Sequence, residues 1–436
     1  MMAARHKIVI VGGGAGGLEL AAKLGRKLGP AHVILVDRSA FHIWKPSLHE
    51  VAAGTLDIHR EGLSYFMLAK DCGFTFALGE MLGVNREAKK IRLNAVLDSR
   101  CEEVFPVRNL AYDTLVLAVG SKSNFFNTPG ADEFALTIDS TEQAERFRQR
   151  LLRAVARSNR DDNGRSGRAL QIVIVGAGAT GVELAAELMQ AFSEMAFYGL
   201  ENFVPSTDVK ISLIEGASRI LSALPEKISA AAHELLLRRG IVVKTSVRIA
   251  SVSVDALYDV HGERFPADLC VWAAGIEAPA FLSQLGLATN RNHQIIVDAS
   301  LRASDPDVYA LGDCAQAAWE PDVKFVPARA QAAHQEASFL CGVLADLIRA
   351  PGSATMRTFK YKDYGSLISV GRHRAVGRLM GVLTGRGLFV EGLFARFMYM
   401  SLHLMHHLAF LGFVRTASLA VGRLLLKRGA PRVKLH

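Results

Sequence analysis

No Cys-x-x-Cys pair occurs anywhere in the 436 residues, and the five cysteines, Cys72, Cys101, Cys270, Cys314 and Cys341, are odd in number and widely spaced. That argues against a disulfide framework or a structural zinc site and suits a reducing cytosol. Tryptophan is scarce, with three residues and none after Trp319. The N-terminus lacks a secretory pattern: residues 1–6 are mostly non-periodic, and the first apolar run meets glycines at once. A bacterial chain, or one already mature, is expected. Acidic charge is in deficit, with 42 Asp and Glu against 51 Lys and Arg, a formal net charge of +9. Such a balance suits nucleic acid, acidic lipid headgroups or a phosphorylated cofactor. No basic segment interleaved with aromatics supports nucleic acid, so none is expected. Half the residues are hydrophobic and 21% are charged, which excludes disorder over most of the length. A chain this long needs two or three cores.

What is present begins with Ile8-Val9-Ile10-Val11, a β-branched run of the kind buried in a parallel sheet. Gly12-Gly13-Gly14-Ala15-Gly16-Gly17 follows, then a periodic helix, then Val33-Ile34-Leu35-Val36 ending on Asp37. This is a βαβ unit with G-x-G-x-x-G at its turn. Gly12 permits the tight turn, Gly14 lets the backbone approach a pyrophosphate, and Gly17 lets helix and strand pack closely. The helix N-terminus offers N–H groups to phosphate, and Asp37 can accept a bond from a ribose 2′-OH. The unit recurs: strand Gln171–Val175, fingerprint Gly176, Gly178 and Gly181, and strand Val209–Ile214 ending on Glu215. The longer interval to Glu215 places an insertion at residues 192–207. Residues 157–168 read as a linker. Two similar strands ending on Gly120 and Gly275 would close each unit and let the chain cross to the other.

At this point the sequence resembles the flavoproteins with two dinucleotide-binding domains, the first for FAD and the second for NAD(P)H. Asp307-Val308-Tyr309-Ala310-Leu311-Gly312-Asp313 resembles their late FAD motif, which implies a flavin-contacting role for Gly312 and Asp313. Segment Trp44–Glu50 carries no redox cysteine pair, and Cys314 has no evident partner, so thiol chemistry is disfavoured. Pro327-Ala328-Arg329-Ala330-Gln331-Ala332-Ala333-His334-Gln335 is similar to the Ala-Gln-x-Ala-x-Gln segment of type II NADH dehydrogenases. That resemblance implies a quinone pocket at Gln331 and Gln335. It also matches Glu183 to a family glutamate near the isoalloxazine; an ordinary first-turn acid stabilised by the helix dipole is the competing reading.

The tail changes character. Residues 397–414 carry no formal charge, and 18 residues of helix span about 27 Å, marginal for crossing a bilayer. His403, His406 and His407 interrupt the run, and Arg415, Arg423, Lys427, Arg428, Arg432 and Lys434 follow. Packing or interfacial histidines are favoured over a metal face. An apolar helix joined to a basic one suits an anionic leaflet.

The expectation is an α/β protein with two Rossmann-like domains, the second inserted in the first, and a membrane-associating α/β C-terminal segment. The boundaries expected are 1–165 and 291–350 for FAD, 166–290 for NADH, and 351–436 for the membrane segment. Resemblance implies an FAD-dependent NADH:quinone oxidoreductase that pumps no protons, with catalytic residues Glu183 and Gln331 and no metal. Its partners would be ubiquinone or menaquinone and an anionic membrane surface, at the cytoplasmic face of the inner membrane, with a homodimer admissible. Two alternatives stand beside it: an FAD-dependent NAD(P)H reductase with a soluble acceptor, and a nucleotide-binding redox sensor without turnover.

Overall fold

Buried runs must find a partner for every backbone N–H and C=O, and two four-residue runs that do so in a parallel ladder form the centre of this computed structural model. Ile8–Val11 and Thr114–Leu117 are wholly buried and pair in parallel, Ile8 opposite Thr114. Val33–Asp37 and Thr75–Leu78 extend the sheet on one side, and Val308–Ala310 closes the other. The last strand returns to the first sheet from beyond the second unit, so the second domain is inserted in the first. That second sheet is parallel too, in the order Val242–Lys244, Val209–Ile214, Leu170–Val175, Leu269–Trp272. The structure describes residues 6–158, 169–198, 203–320, 324–349, 357–369, 375–380, 387–391, 401, 404–426 and 433. Most of the linker expected at residues 157–168 lies outside them.

Each unit also carries a three-stranded antiparallel meander before its closing strand: Met81–Asn85, Lys90–Leu93 and Arg108–Ala111 in the first, Ile249–Val252, Ala256–Asp259 and Arg264–Pro266 in the second. Sequence reading did not anticipate either. After Gly120 and Gly275 the two crossing segments pair with each other, Lys122–Ser123 against Ile276–Glu277. The insertion before Glu215 is as expected in kind: the second fingerprint helix runs on to Phe197, and a short helix, Pro205–Asp208, precedes the next strand.

Helix Ala330–Arg349 lies along the first fingerprint helix, Ala15–Leu28. A side chain at Gly16 would strike Leu311 at 2.4 Å and Ala333 O at 3.1 Å, so glycine sets this close approach. Buried Glu19 joins the two helices, ion-paired with Lys23 at 2.6 Å and hydrogen-bonded to His334 Nδ1. Helix Leu48–Ala53 of the first unit buries its apolar face in the core of the second. Beyond it, Gly365–Ser369, Ala375–Met380 and Gly387–Glu391 form an antiparallel sheet, and two helical stretches, 404–411 and Phe413–Leu426, meet at Gly412, which has a φ of +77°. Among the described residues no helix is long and apolar enough to cross a membrane.

The fingerprint geometry makes a stability prediction. A Cβ on Gly181 would sit 1.9 Å from Gly176 O, whereas one on Gly178 meets nothing within 4 Å. In thermal unfolding without NADH, Gly181→Ala should lose about 1–3 kcal/mol and Gly178→Ala should not move the midpoint. Equal losses would sink the close-packing account.

Candidate functional site

Both strand-to-helix turns have one construction. Gly12 and Gly176 adopt φ of +103° and +100°, and the added Cβ of Gly17 would lie 1.9 Å from Gly12 O, matching the Gly181 approach to Gly176 O. The middle glycines differ: neither Gly14 nor Gly178 has any atom within 4 Å of an added Cβ. Each helix therefore begins, at Ala15 and at Ala179, beneath an open space where its unpaired N–H groups can meet phosphate. Acids at the ends of the next strands brace these loops. Asp37 accepts the N–H groups of Gly13 at 2.6 Å and Ser39 at 2.8 Å; Glu215 accepts those of Ala177 at 2.7 Å and Ala217 at 2.8 Å. Burial pushes the Asp37 carboxyl up, against the pull of those donors. Closed first and third glycines, open middle ones and a terminal acid fit a dinucleotide at each turn.

The late motif joins the first of these sites. Gly312 and Asp313 form a tight turn directly after Val308–Ala310. Asp313 accepts the Ser121 hydroxyl at 2.7 Å, and Lys45 donates to the Ser121 carbonyl at 2.7 Å. Gly120, Gly312 and Asp313 are thereby gathered at one end of the first sheet. Gly275 stands apart, its open side covered by the Phe126 ring, 2.2 Å from an added Cβ.

Gly312 N–H donates to Glu336 at 2.6 Å, which ties the turn to the helix carrying Gln331 and Gln335. Gln331 Oε1 accepts the Tyr361 hydroxyl at 2.9 Å and the Tyr364 N–H at 3.4 Å. Gln335 spends its whole amide on Lys362, donating to its carbonyl at 2.8 Å and accepting its N–H at 3.0 Å. Its observed work is to hold the segment that reaches Gln331.

Glu183 lies past the first turn of its helix, which has no acid in that turn, and it is buried between units. It accepts the Ser369 N–H at 2.9 Å, and His49 Nδ1 stands 3.7 Å away. Burial pushes its carboxyl up to about 8, helped by Glu50 and Glu187 and opposed by the Ser369 N–H. The same burial pulls the His49 imidazole down to about 4, so both groups are neutral near pH 7. Burial also pushes Glu336 up to about 8.

Cys314 is buried, its thiol directed at the Leu311 and Leu117 carbonyls and pushed up to about 12 by burial. It is no thiolate, in keeping with the disfavoured thiol chemistry. Of the histidine trio, His406 and His407 are packed in the interior, while His403 lies outside the described residues, as do Lys427, Arg428, Arg432 and Lys434. Sequence reading missed Lys45, Ser121, Glu336, His42 and Tyr65. Glu336 had a signal: it falls on the otherwise apolar stripe formed by Ala333, Ala337 and Leu340.

Paired dinucleotide turns on two parallel sheets, without a cysteine couple, define a two-domain nucleotide-dependent oxidoreductase. The family model described as pyridine nucleotide-disulphide oxidoreductase matches residues 6–337. A type II NADH:quinone oxidoreductase of Haemophilus influenzae is 39% identical, covering 98% of this chain and 99% of that protein. One from Mycobacterium tuberculosis is 27% identical over 93% and 85%. In structure, NDH2 of Plasmodium falciparum, solved in complex with NADH, matches with a TM-score of 0.82 at 21% identity, over 99% of this chain and all of that one. The chain belongs to the pyridine nucleotide-disulphide oxidoreductases and, within them, to the type II NADH:quinone oxidoreductases, FAD enzymes that oxidise NADH, reduce quinone and pump no protons.

The Glu183 carboxyl makes a pH prediction. Its folded value lies above its unfolded one, so the folded chain holds an extra proton between them. The associated stability is full below about 4.5 and is lost as pH rises through about 8. Glu183→Gln should therefore flatten the decline of the unfolding free energy with pH, by up to about 1.4 kcal/mol per pH unit. Parallel wild-type and variant curves would refute the buried-acid assignment.

Proposed function

We propose that the loop of Gly12, Gly14 and Gly17 holds FAD with Asp37, Gly120, Gly312 and Asp313, and that the loop of Gly176, Gly178 and Gly181 holds NADH with Glu215, with Gly275 at that domain's edge. Domain limits at 1–165, 166–290, 291–350 and 351–436 belong to the same reading. The observation that carries it is the bond from Gly312 to Glu336, which joins the flavin-side turn to the helix bearing Gln331. Bound FAD supplies the two-electron chemistry between NADH and quinone. The chain's part is placement. Tyr361 and Tyr364 hold the Gln331 carbonyl oxygen, which leaves the amide Nε2 without a partner among the described residues, a donor for a quinone carbonyl. Gln335 keeps that frame in place. Glu183, protonated at neutral pH, can lend or recover a proton where the two units meet.

Glu215 supports NADH over NADPH, since a carboxylate repels a 2′-phosphate. Arg219 does not offset it: its guanidinium is spent on the carbonyls of Leu221, Ser222 and Leu224 at 2.6–3.2 Å. The end of the chain supports peripheral attachment to an anionic membrane. Met405, Leu408, Phe413, Val414 and Val421 are exposed beside Arg415, an apolar and basic surface suited to a headgroup layer. The enzyme would then meet ubiquinone or menaquinone at the cytoplasmic face of a bacterial inner membrane, and a homodimer is compatible with this.

Anaerobic purified protein should be yellow, bleach rapidly with NADH and recover rapidly with a short-chain quinone. Bleaching without recovery would overturn the quinone assignment and keep the nucleotide sites. Gln331→Leu should lower kcat/KM for quinone by up to about tenfold while ferricyanide reduction persists. A parallel loss of both would remove Gln331 from the quinone site. The kcat/KM for NADH should exceed that for NADPH by at least about tenfold, and equal values would remove Glu215 as the selector.

A further inference from the structure

The two fingerprint turns solve one problem in different ways. In each, the acid fixes the N–H of the residue between the first two glycines, Gly13 or Ala177. The carbonyl of that residue needs fixing as well. In the second turn a local backbone donor does it: Leu221 N–H reaches Ala177 O at 2.8 Å, and Arg219 in turn binds the Leu221 carbonyl. In the first turn two side chains do it. Tyr65 donates its hydroxyl to Gly13 O at 2.6 Å, and His42 Nδ1 reaches the same oxygen at 3.0 Å.

A carbonyl only accepts, so His42 Nδ1 carries the proton. The ring is fully buried and neutral at ordinary pH, which leaves Nε2 as an acceptor. His406, from the C-terminal helix 364 residues away, has its Nε2 2.8 Å from that atom and must be the donor. The proton chain therefore has one direction, from His406 to His42 to Gly13 O. His406 is itself held, stacked on Trp44 at 6.0 Å and met edge-on by Phe410 at 5.0 Å. The Gly13 carbonyl and the Gly14 N–H share one planar trans peptide, so they point in opposite directions. Turning the first toward His42 turns the second toward the open space over the helix N-terminus.

We propose that His42 and His406 are positioning residues of the first dinucleotide site, aiming the Gly14 N–H at the pyrophosphate, so that the docked C-terminal helix is part of the cofactor clasp. This rests on the reading of the first turn as the FAD site. The second turn, braced by its own backbone, is independent of the tail.

The test is FAD release from the holoenzyme, followed by the rise in free-flavin fluorescence after dilution, with the KM for NADH as the control. His42→Gln, which disturbs both bonds, should release FAD about tenfold faster, and His406→Ala, which keeps the donor to Gly13 O, about threefold faster. His42→Asn keeps an amide donor where Nδ1 stood but breaks the bond to His406, so it should match His406→Ala and stay slower than His42→Gln. The KM for NADH should not change in any of the three. Native release from His406→Ala would overturn the proposal, as would His42→Asn releasing as fast as His42→Gln, or a KM for NADH that rises in step. A native protein that carries no FAD would overturn the reading of the first turn instead.

Discussion

The approach of Gly17 to the Gly12 carbonyl, closer than any side chain permits, is the constraint on which the rest depends. It lets a buried parallel strand pass directly into a helix whose first N–H groups face open space. Those groups have no partner within the helix, and the turn is stable because Asp37 and the donors to Gly13 O lock the peptides around them. The same approach at Gly181 makes the second unit a copy in geometry. What differs is the support around each copy, and support is where the two sites acquire separate properties.

Burial of acids is the second theme. Glu19, Glu183 and Glu336 are each removed from water, yet each is matched to a different task. Glu19 is paired with Lys23 on its own helix and meets His334 on the next, fastening one helix to another. Glu183 and Glu336 each accept one backbone N–H, and burial holds their protons near neutral pH. A buried carboxyl with one donor costs the fold stability once it ionises, which confines such groups to places where two elements must be held at a defined spacing. Glu183 lies where the second unit meets His49 of the first, and Glu336 where the Gly312 turn meets helix Ala330–Arg349.

Local physics made the nucleotide turns legible in the sequence. Strand, glycines, helix and terminal acid lie within about one βαβ unit, and each residue's reason is contained in its neighbours. The meanders were not legible, because a stretch such as Lys90–Leu93 alternates correctly but over only four residues. Glu336 was half legible, as an acid on an apolar stripe. For Gln335 the resemblance implied a quinone-side place, and the structure adds what no sequence rule gives, that both ends of its amide are bonded to Lys362. His42 and His406 were beyond reach, since no spacing rule connects residues 364 positions apart.

The tail gains a second meaning from that contact. Read as composition, it is a greasy basic segment suited to a membrane surface. Its docked side is specific: Cys72 and Arg26 bind the Phe410 carbonyl, Arg415 pairs with Asp71, and His406 enters the first domain's interior. A segment that only adhered to lipid would need none of these. Two helical stretches that show apolar residues outward and polar contacts inward thus join an exposed apolar and basic surface to the Gly13 carbonyl through two buried imidazoles in series, His406 and His42.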